Sequence, residues 1–312
     1  MSSNYGLSFF FKDSTKYIEE IISEIDTFQP KYVFVDDETP PNEDCFVFLC
    51  RLMSKHRKNI IFGTSITNPF SRNPVNLAFK VLSLINHYNA DFVLGIGNGS
   101  SSRRNALGIE SKSFQQEMFE SIKIIKSLWK GDFVDFNGDF FSCHTQIQKN
   151  LLIDEIPKIW MAARGLKMLN LSTKIADGIF GAYYPFPEYQ DAFKNTILNG
   201  LSNQEKTLDV FNCALWIPIY TNPTSEDIVK IQKHCKKRWE ITPLVIKRML
   251  KNQNRTKQHN SLKLVVHGEI EDCIRQIAEW KKHIPIIPFF AINELNFHSE
   301  IMGDINEIAS KL

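Results

Sequence analysis

Short apolar segments alternate with longer amphipathic segments along the whole chain, and this alternation constrains the fold more than any other feature. The apolar segments have the length of buried strands, and the segments between them carry apolar residues at helical spacing. Eight strands are predicted, at residues 5–11, 31–37, 59–66, 90–97, 157–163, 177–184, 212–220 and 284–292. The alternation indicates a parallel α/β sheet, and eight units within 312 residues favour a closed (β/α)8 TIM barrel over an open doubly wound sheet.

Two local features modify this simple pattern. Residues 133–141 contain an Asn-Gly pair between apolar residues, which predicts a small hairpin inserted after the fourth helix. Pro285 and Pro288 weaken the eighth strand, because proline cannot donate to a sheet. No segment rich in Pro, Gly or Ser divides the chain, so residues 1–312 are expected to form a single domain.

Charge and composition exclude several classes of partner. The chain has 37 basic and 35 acidic residues, a net charge of +2, so nothing in its charge favours binding to nucleic acid or to a membrane surface. The six cysteines form no CxxC pair and are expected to be reduced thiols. The chain contains no apolar run of membrane-spanning length and no signal-peptide pattern, which favours a cytoplasmic location. The histidines lack HxH and HxxxH spacing, so no metal site is expected.

Polar and glycine-rich segments follow the third and fourth predicted strands, and in a TIM barrel the carboxyl ends of the strands carry the function. The polar cluster at residues 67–73 is either an elaborate turn or the lip of a pocket. Gly95, Gly97 and Gly99 leave room for a ligand beside the backbone, and residues 100–104 add donors suited to an anion. The spacing is not that of a dinucleotide-binding turn, and the next helix is expected more than ten residues later. A flexible strand exit remains the alternative.

Small residues end the fifth predicted strand. Ala162 and Ala163 precede Arg164, Gly165 and Lys167, where a helix begins. The free N–H groups of a helix N-terminus can bind an anion, and small side chains let a flat ring approach the backbone. Tight packing of the helix on the strand, with a surface arginine, is the simpler interpretation of these residues alone.

Three acidic residues, Asp36, Asp37 and Glu38, end the second predicted strand. Carboxylates that share a closed pocket raise one another's pKa, which is how proton donors arise. Because neighbouring residues of a strand face opposite sides, only one of Asp36 and Asp37 is expected to face inward. Asp37 is the favoured candidate, and an acidic, solvated loop before a helix is the alternative.

Four stretches, taken together and in this order, resemble the luciferase-like flavin and deazaflavin oxidoreductase superfamily. They are "FGTSITNPFSRNPVNLA", "FVLGIGNGSSSRRNALG", "IKIIKSLWKGDFVDFNGDFF" and "PKIWMAARGLKMLNLSTKIADGIF", and they span roughly Ile60 to Phe180. The resemblance is strongest to the methylene-tetrahydromethanopterin reductase-like branch, which uses the deazaflavin coenzyme F420. It implies a TIM barrel of the bacterial luciferase-like type.

The resemblance also implies roles for particular residues. A non-proline cis peptide at Ser65–Ile66 would back the cofactor's ring, with Thr67 and Asn68 at the ring's polar edge, so that the polar cluster is a pocket lip. Further cofactor-binding residues would be Gly97, Asn98 and Gly99 in the cleft and Ala162, Ala163, Arg164 and Gly165 at the phosphate or ribityl chain. Asp37 and Glu38 would be catalytic.

The sequence departs from the family at one position that matters. Many relatives have Asp-His at the end of strand two, and here Glu38 follows Asp37. The leading hypothesis is hydride transfer between F420 and a small-molecule substrate. An FMN-dependent monooxygenase is the alternative on the same fold, and a non-catalytic flavin-binding or subunit-partner protein is an alternative of another class. Relatives often dimerise, so a homodimer is a further expectation.

Overall fold

Eight parallel strands form a closed barrel in this protein. The computed structural model describes residues 4–38, 43–55, 59–110, 113–184, 186–240, 261–293, 296–298 and 300–312. Its strands are β1 (Gly6–Phe10), β2 (Tyr32–Val35), β3 (Ile61–Thr64), β4 (Phe92–Ile96), β5 (Val134–Asn137), β6 (Ser142–Thr145), β7 (Lys158–Ala162), β8 (Gly178–Ala182), β9 (Asn212–Thr221), β10 (Val266–Gly268) and β11 (Ile287–Asn293). Strands β1, β2, β3, β4, β7, β8, β9 and β11 follow one another around the barrel, and pairing of β8 with β9 closes it.

Helices lie between the barrel strands. They are α1 (Ile18–Phe28), α2 (Cys45–Lys55), α3 (Pro74–Tyr88), α4 (Ser101–Ala106), α5 (Phe114–Trp129), α6 (Leu166–Ile175), α7 (Pro187–Ser202), α8 (Ser225–Glu240), α9 (Ile270–Lys281) and α10 (Ile301–Lys311). The predicted (β/α)8 TIM barrel is therefore confirmed. None of the helices in the described ranges is long and apolar enough to cross a membrane.

The structure corrects the prediction in three places. The short helix α4 begins immediately after the glycine-rich segment, where no helix was expected before residue 113, so the predicted hairpin β5–β6 follows the fifth helix. The segment "YYPFPEYQDAF" after the sixth predicted strand is expected from its sequence to be part of a long loop, but its residues 187–193 belong to α7. The eighth barrel strand contains Pro288 in its interior and still pairs with both neighbours, because its register continues on either side of that residue.

The two faces of each strand have different environments. On β2, Val33 and Val35 pack into the layer between barrel and helices, whereas Tyr32 and Phe34 point into the lumen. Phe34 meets Phe289 of β11, the second strand along the barrel from β2, with 4.7 Å between ring centroids. Aromatic rings thus fill the lower and middle lumen, as expected for a packed barrel interior.

The carboxyl end of the lumen is partly accessible. The lumen-facing positions there, Phe10, Asp36, Ala162 and Trp216, are half-buried, in contrast to the fully buried rings below them. The barrel therefore places partly accessible lumen residues at the strand ends where the sequence predicts a site.

The hairpin β5–β6 is tied to α5 by one buried carboxylate. Glu120 accepts hydrogen bonds from the backbone N–H groups of Asp139 (3.0 Å), Phe140 (3.0 Å) and Phe141 (3.1 Å). Gln116 donates a fourth, also at 3.0 Å. Burial by itself raises the pKa of Glu120, but these hydrogen bonds to the charged form outweigh it, and the pKa is lowered.

Replacement of Glu120 with Gln should destabilise the protein. The neutral amide cannot accept all four hydrogen bonds, so we expect a loss of about 1–3 kcal/mol in the free energy of unfolding near pH 7, measured by urea denaturation. Because the folded-state pKa is lowered, this contribution is present above the ordinary glutamate pKa of about 4.3 and is lost as the pH falls through the folded value. The exposed Glu110→Gln is the control. Equal stability of both variants would contradict the assignment.

Candidate functional site

The peptide bond between Ser65 and Ile66 is cis, as the family resemblance implied. The segment continues the sheet on both sides of this bond: Ser65 donates its N–H to the carbonyl of Val35 (2.9 Å), and Thr67 donates to Gly95 (3.0 Å). The chain therefore leaves β3 between β2 and β4 without losing its hydrogen bonds to either. This path carries the side chain of Ile66 into the lumen cluster.

Three segments meet at the open end of the lumen. A Cβ atom built on Gly97 would lie 2.3 Å from Ile66 Cδ1 and 2.7 Å from Ala162 Cβ. The ends of β3, β4 and β7 are thus in contact through Ile66, Gly97 and Ala162. Glycine, which has no Cβ, is the residue that fits between Ile66 and Ala162. Ile66 and Ala162 are half-buried, so the junction of Ile66, Gly97 and Ala162 forms an apolar surface that is partly exposed at the lumen opening.

The other residues after β3 and β4 that were predicted to bind the cofactor mainly form the wall of the lumen opening. Asn68 is buried, and its side-chain oxygen accepts from the N–H (2.9 Å) and hydroxyl (3.0 Å) of Ser71. Gly99 has a φ of +64°, where a side chain is disfavoured, and the carbonyls of Asn98 and Gly99 both accept from Arg104. The side-chain Oδ1 of Asn98 is buried without a hydrogen-bond partner among the described residues.

The segment after β7 leads directly into a helix N-terminus. Ala163 is buried, Gly165 is the N-cap of α6, and Arg164 between them is exposed. The hydroxyl of Tyr189, on α7, donates to the carbonyl of Arg164 at 3.1 Å and so fixes this turn. The first N–H groups of α6 have no acceptor within the helix, as at any helix start. Together with the exposed guanidinium they suit an anionic group.

Asp37 is placed away from the lumen, in a buried ion-pair cluster. Its carboxylate accepts from Arg72 Nε at 2.9 Å and from the hydroxyl of Thr67 at 2.7 Å. Arg103 Nη1 lies 3.2 Å from the other oxygen, and Arg72 also reaches Asp44 at 2.7 Å. Burial by itself would raise the pKa of Asp37, but the two arginines and Thr67 lower it below its ordinary value.

Asp36 occupies the inward position that the sequence analysis gave to Asp37. It is the next lumen-facing residue after Tyr32 and Phe34, and its Oδ1 accepts from the N–H of Ile66 at 3.2 Å. Burial raises the pKa of Asp36 well above its ordinary value, and the neighbouring Glu38 and Asp37 raise it further. The alternation of Tyr32 and Phe34 was the signal in the sequence that identifies Asp36 as inward-facing.

Glu38 lies at the rim beside the start of α4. It is half-buried, and its Oε2 accepts from the hydroxyl of Ser100 at 3.1 Å. Ser100 is also the N-cap of α4, where its hydroxyl oxygen accepts from the N–H of Arg103. The rims after β2 and β4 are therefore joined through Glu38 and Ser100.

A hydrogen-bonded line of side chains at the floor of the opening is not apparent from the sequence. The indole N–H of Trp216 donates to Ser8 Oγ at 3.2 Å, and Ser8 Oγ lies 2.7 Å from Ser65 Oγ. This line joins β9, β1 and β3 directly below the cis peptide. Single serines inside apolar strands carry no pattern that predicts such a contact.

A known protein family matches most of this chain. The chain matches the sequence profile of the family described as luciferase-like monooxygenase over residues 25–283, and it belongs to that family.

Two curated relatives show which kinds of enzyme have sequences similar to this chain. F420-dependent glucose-6-phosphate dehydrogenase of Nakamurella multipartita is 29% identical over 157 residues, which are 49% of this chain and 46% of the relative. The 5,10-methylenetetrahydromethanopterin reductase of Archaeoglobus fulgidus is 28% identical over 171 residues, 55% of this chain and 50% of the relative. The chain thus spans about half the length of the curated relatives it matches.

Solved structures share the fold over the whole chain at low identity. The coenzyme F420-dependent tetrahydromethanopterin reductase from Methanopyrus kandleri superposes with a TM-score of 0.78 at 15% identity, covering 100% of this chain and 99% of that one. The oxygenating constituent of 3,6-diketocamphane monooxygenase from Pseudomonas putida, in complex with FMN, gives a TM-score of 0.71 at 11% identity, covering 100% and 97%.

The neighbours Asp36 and Asp37 should respond oppositely to replacement with Asn. Asp37→Asn leaves two buried arginines without their shared counter-charge, so we expect a loss of about 3–5 kcal/mol in the free energy of unfolding at pH 7. The wild-type contribution of Asp37 should persist above the ordinary aspartate pKa of about 3.9 and fall away at lower pH.

Asp36→Asn is the matched control for that measurement. Its raised folded-state pKa means that the charged carboxylate destabilises the fold as the pH rises through that value. The neutral amide removes this penalty, so the variant should keep or slightly increase its stability at pH 7. Urea denaturation of both variants between pH 3 and pH 8 measures the difference. Equal losses in the two variants would show that the inward and outward assignments are wrong.

Proposed function

We propose that this protein is an oxidoreductase that transfers a hydride between the deazaflavin coenzyme F420 and a small organic substrate. The observation that carries the proposal is the junction of Ile66, Gly97 and Ala162 at the open end of the lumen. A flat ring can pack against an apolar surface, and this junction offers one, made of Ile66 and two small residues, beside a polar strand exit. Both curated relatives described above carry F420-linked or pterin-reductase activities in their names, which supports F420 over FMN.

The residues present fit such a cofactor. The space at Gly97 would be filled by any Cβ, and the buried Asn98 Oδ1 is an unpartnered acceptor suited to an N–H group at a ring edge. In this proposal Ser65, Ile66, Thr67 and Asn68 back the ring, Gly97, Asn98 and Gly99 form the side of the cleft, and Ala162, Ala163, Arg164 and Gly165 hold the phosphate or ribityl chain. The bound cofactor would supply the hydride chemistry, and the protein would supply orientation and electrostatics.

The two residues expected to be catalytic receive different roles. We propose that Asp37 acts as a positioning residue, because its carboxylate is held by Arg72, Arg103 and Thr67 and is not available to a ligand. Glu38 is half-buried at the rim, where it can accept a hydrogen bond from a substrate in addition to that from Ser100.

A second candidate, an FMN-dependent monooxygenase, is supported by the fold shared with the FMN complex of the diketocamphane enzyme. The same ring seat would accept either tricyclic ring system. The two candidates differ in a measurable respect: an FMN monooxygenase consumes oxygen with reduced FMN, whereas an F420-linked enzyme does not require oxygen.

Cofactor titration tests the proposal directly. Purified protein is titrated with F420, with its phosphate-free deazaflavin precursor and with FMN, and binding is followed by cofactor fluorescence. We expect F420 to bind at least about tenfold more tightly than FMN, a difference of about 1.4 kcal/mol. Tighter FMN binding together with oxygen consumption would replace the first candidate with the second.

One arginine allows the same titration to test the phosphate position. Arg164→Ala should weaken F420 binding about tenfold, because a charge-assisted hydrogen bond is lost, and should leave the phosphate-free deazaflavin unaffected. Lys174→Ala, an exposed cation at the opposite end of α6, is the control and should change neither affinity. A loss of affinity for both F420 and the phosphate-free deazaflavin would show that Arg164 does not contact the phosphate.

Replacement of Gly97 with Ala should damage the ring seat. The new Cβ would meet the flexible end of Ile66 at 2.3 Å and force it toward the lumen opening. We expect F420 affinity to fall about tenfold or more, with a stability loss of about 1–3 kcal/mol. Gly303→Ala in α10, where the nearest atom is 3.9 Å away, is the control and should keep wild-type binding. Unchanged F420 affinity in folded Gly97→Ala would remove the junction from the cofactor site.

A further inference from the structure

We propose that Asp36 is the acid that gives a proton to the substrate oxygen, and that the substrate reduced at this site is a carbonyl compound. This inference rests on the proposed function, since it needs a hydride donor bound at the ring seat. It assigns the proton to a residue that the family resemblance did not indicate, in place of Asp37 and Glu38.

The position of Asp36 supports this role. The residue extends the lumen-facing series Tyr32 and Phe34 by one step, so its side chain enters the lumen at the open end. One carboxyl oxygen, Oδ1, contacts the N–H of Ile66, the residue whose side chain meets Gly97 at the proposed ring seat. Asp36 is half-buried, and the backbone N–H of Asp37 is a second hydrogen-bond donor to its carboxyl group. A group bound over the seat would therefore lie beside the Asp36 carboxyl.

The surroundings favour the neutral form of Asp36. Apolar side chains line this level of the lumen, which disfavours a charge. The charged groups nearest to it on its own segment, Glu38 and Asp37, are both acidic and raise its pKa further. The backbone N–H groups of Ile66, from β3, and of Asp37 act in the opposite direction and are outweighed. From β1 the inward residues Ser8 and Phe10 carry no charge, and Arg72 and Arg103 are engaged with Asp37 behind the strand.

The other two carboxyl groups are less suited to donate a proton. Asp37 is ionised and bound to two arginines, so it has no proton to give. Glu38 lies at the rim, where its Oε2 already accepts a hydrogen bond from the hydroxyl of Ser100. Asp36 combines an inward position with a raised pKa.

The reaction balances with reduced deazaflavin as the reductant. The carbonyl carbon takes a hydride, two electrons and one proton, from the reduced cofactor. The π electrons of the C=O bond move to the oxygen, which takes the proton from the Asp36 carboxyl. The products are an alcohol, oxidised deazaflavin and the Asp36 carboxylate, and the carboxylate recovers a proton from water. In the reverse direction, the Asp36 carboxylate accepts the hydroxyl proton.

The charge distribution also limits the substrate. A neutral carboxyl group donates a hydrogen bond, so it matches a neutral acceptor such as the oxygen of an aldehyde or ketone. Glu38 at the rim repels an anionic group placed next to the reacting carbon. The exposed cations Arg164 and Lys167 lie on the β7 side instead, where the proposed cofactor phosphate belongs. An uncharged carbonyl compound is the class that fits between them.

The first test measures the protonation of Asp36 without any substrate. Protein labelled with 13C at the aspartate carboxyl carbon is titrated by NMR, and the Asp36 signal is assigned from its absence in Asp36→Asn. We expect the carboxyl group to stay protonated well above the ordinary aspartate pKa of about 3.9. Titration at the ordinary value would overturn the proposal.

The second test measures turnover with reduced F420 and benzaldehyde as the probe carbonyl. Asp36→Asn should lower kcat by about 100-fold or more, as expected for loss of a general acid, and F420 affinity should change less than threefold. The wild-type rate should fall as the pH rises through the Asp36 pKa, and the variant should lack that dependence. Asp91→Asn, exposed near the opposite end of the barrel, is the control. Wild-type turnover in Asp36→Asn would overturn the proposal.

The two proposals fail in different ways. Failure of the wild-type protein to bind F420 contradicts the proposed function. Tight F420 binding, together with an Asp36 signal that titrates at the ordinary value, contradicts only the assignment of the acid.

Discussion

Closure of the barrel between β8 and β9 divides every strand into an inward and an outward face, and the arrangement of the site depends on that division. Residues Gly178 to Ala182 of β8 pair in register with Asn212 to Trp216 of β9, so neither strand has a free edge where the two meet. A residue that faces inward has only the lumen in front of it. Because aromatic rings fill the lower lumen, polar inward residues can be accommodated only near the open end. The position of Asp36, one step beyond Phe34, is a direct result.

The outward face at the same level carries the opposite type of chemistry. Asp37 there links β2 to Arg72, which precedes α3, and to Arg103 in α4. The cluster ties together the segments after β2, β3 and β4, which also line the lumen opening. Two adjacent carboxyl groups thus have contrasting environments: Asp36 has a raised pKa and is partly accessible, and Asp37 has a lowered pKa and is enclosed. Environments that push neighbouring pKa values apart are a common basis for a division of roles.

Much of this fold could be predicted from the sequence, because strand and helix periods are local properties. All eight barrel strands were predicted, since each is a short apolar run bounded by polar residues. The helix α4 was missed because "GSSSRRNALG" is too polar and glycine-rich to show a helical stripe, and its stability comes from the Ser100 cap and the burial of Arg103. The start of α7 was missed because aromatic residues with two prolines look like a loop.

The site was harder to predict than the fold, because contacts between strands are not local. The cis peptide at Ser65–Ile66 followed from family resemblance and not from residue properties. The choice of Asp37 over Asp36 as the inward residue was wrong in orientation, and counting positions from Phe34 would have corrected it. The pairing of Asp37 with Arg103 joins residues 66 positions apart, and no sequence pattern indicates it.

The close approach of β3 and β4 has a consequence for how this protein can diversify. A Cβ on Gly95 would lie 1.7 Å from the carbonyl oxygen of Thr64, which leaves no room for any side chain between these strands. Changes in this half of the rim are therefore confined to a few substitutions. New substrate ranges would therefore be acquired in other segments of the rim, by drift or by directed evolution, while the proposed ring seat stays as it is.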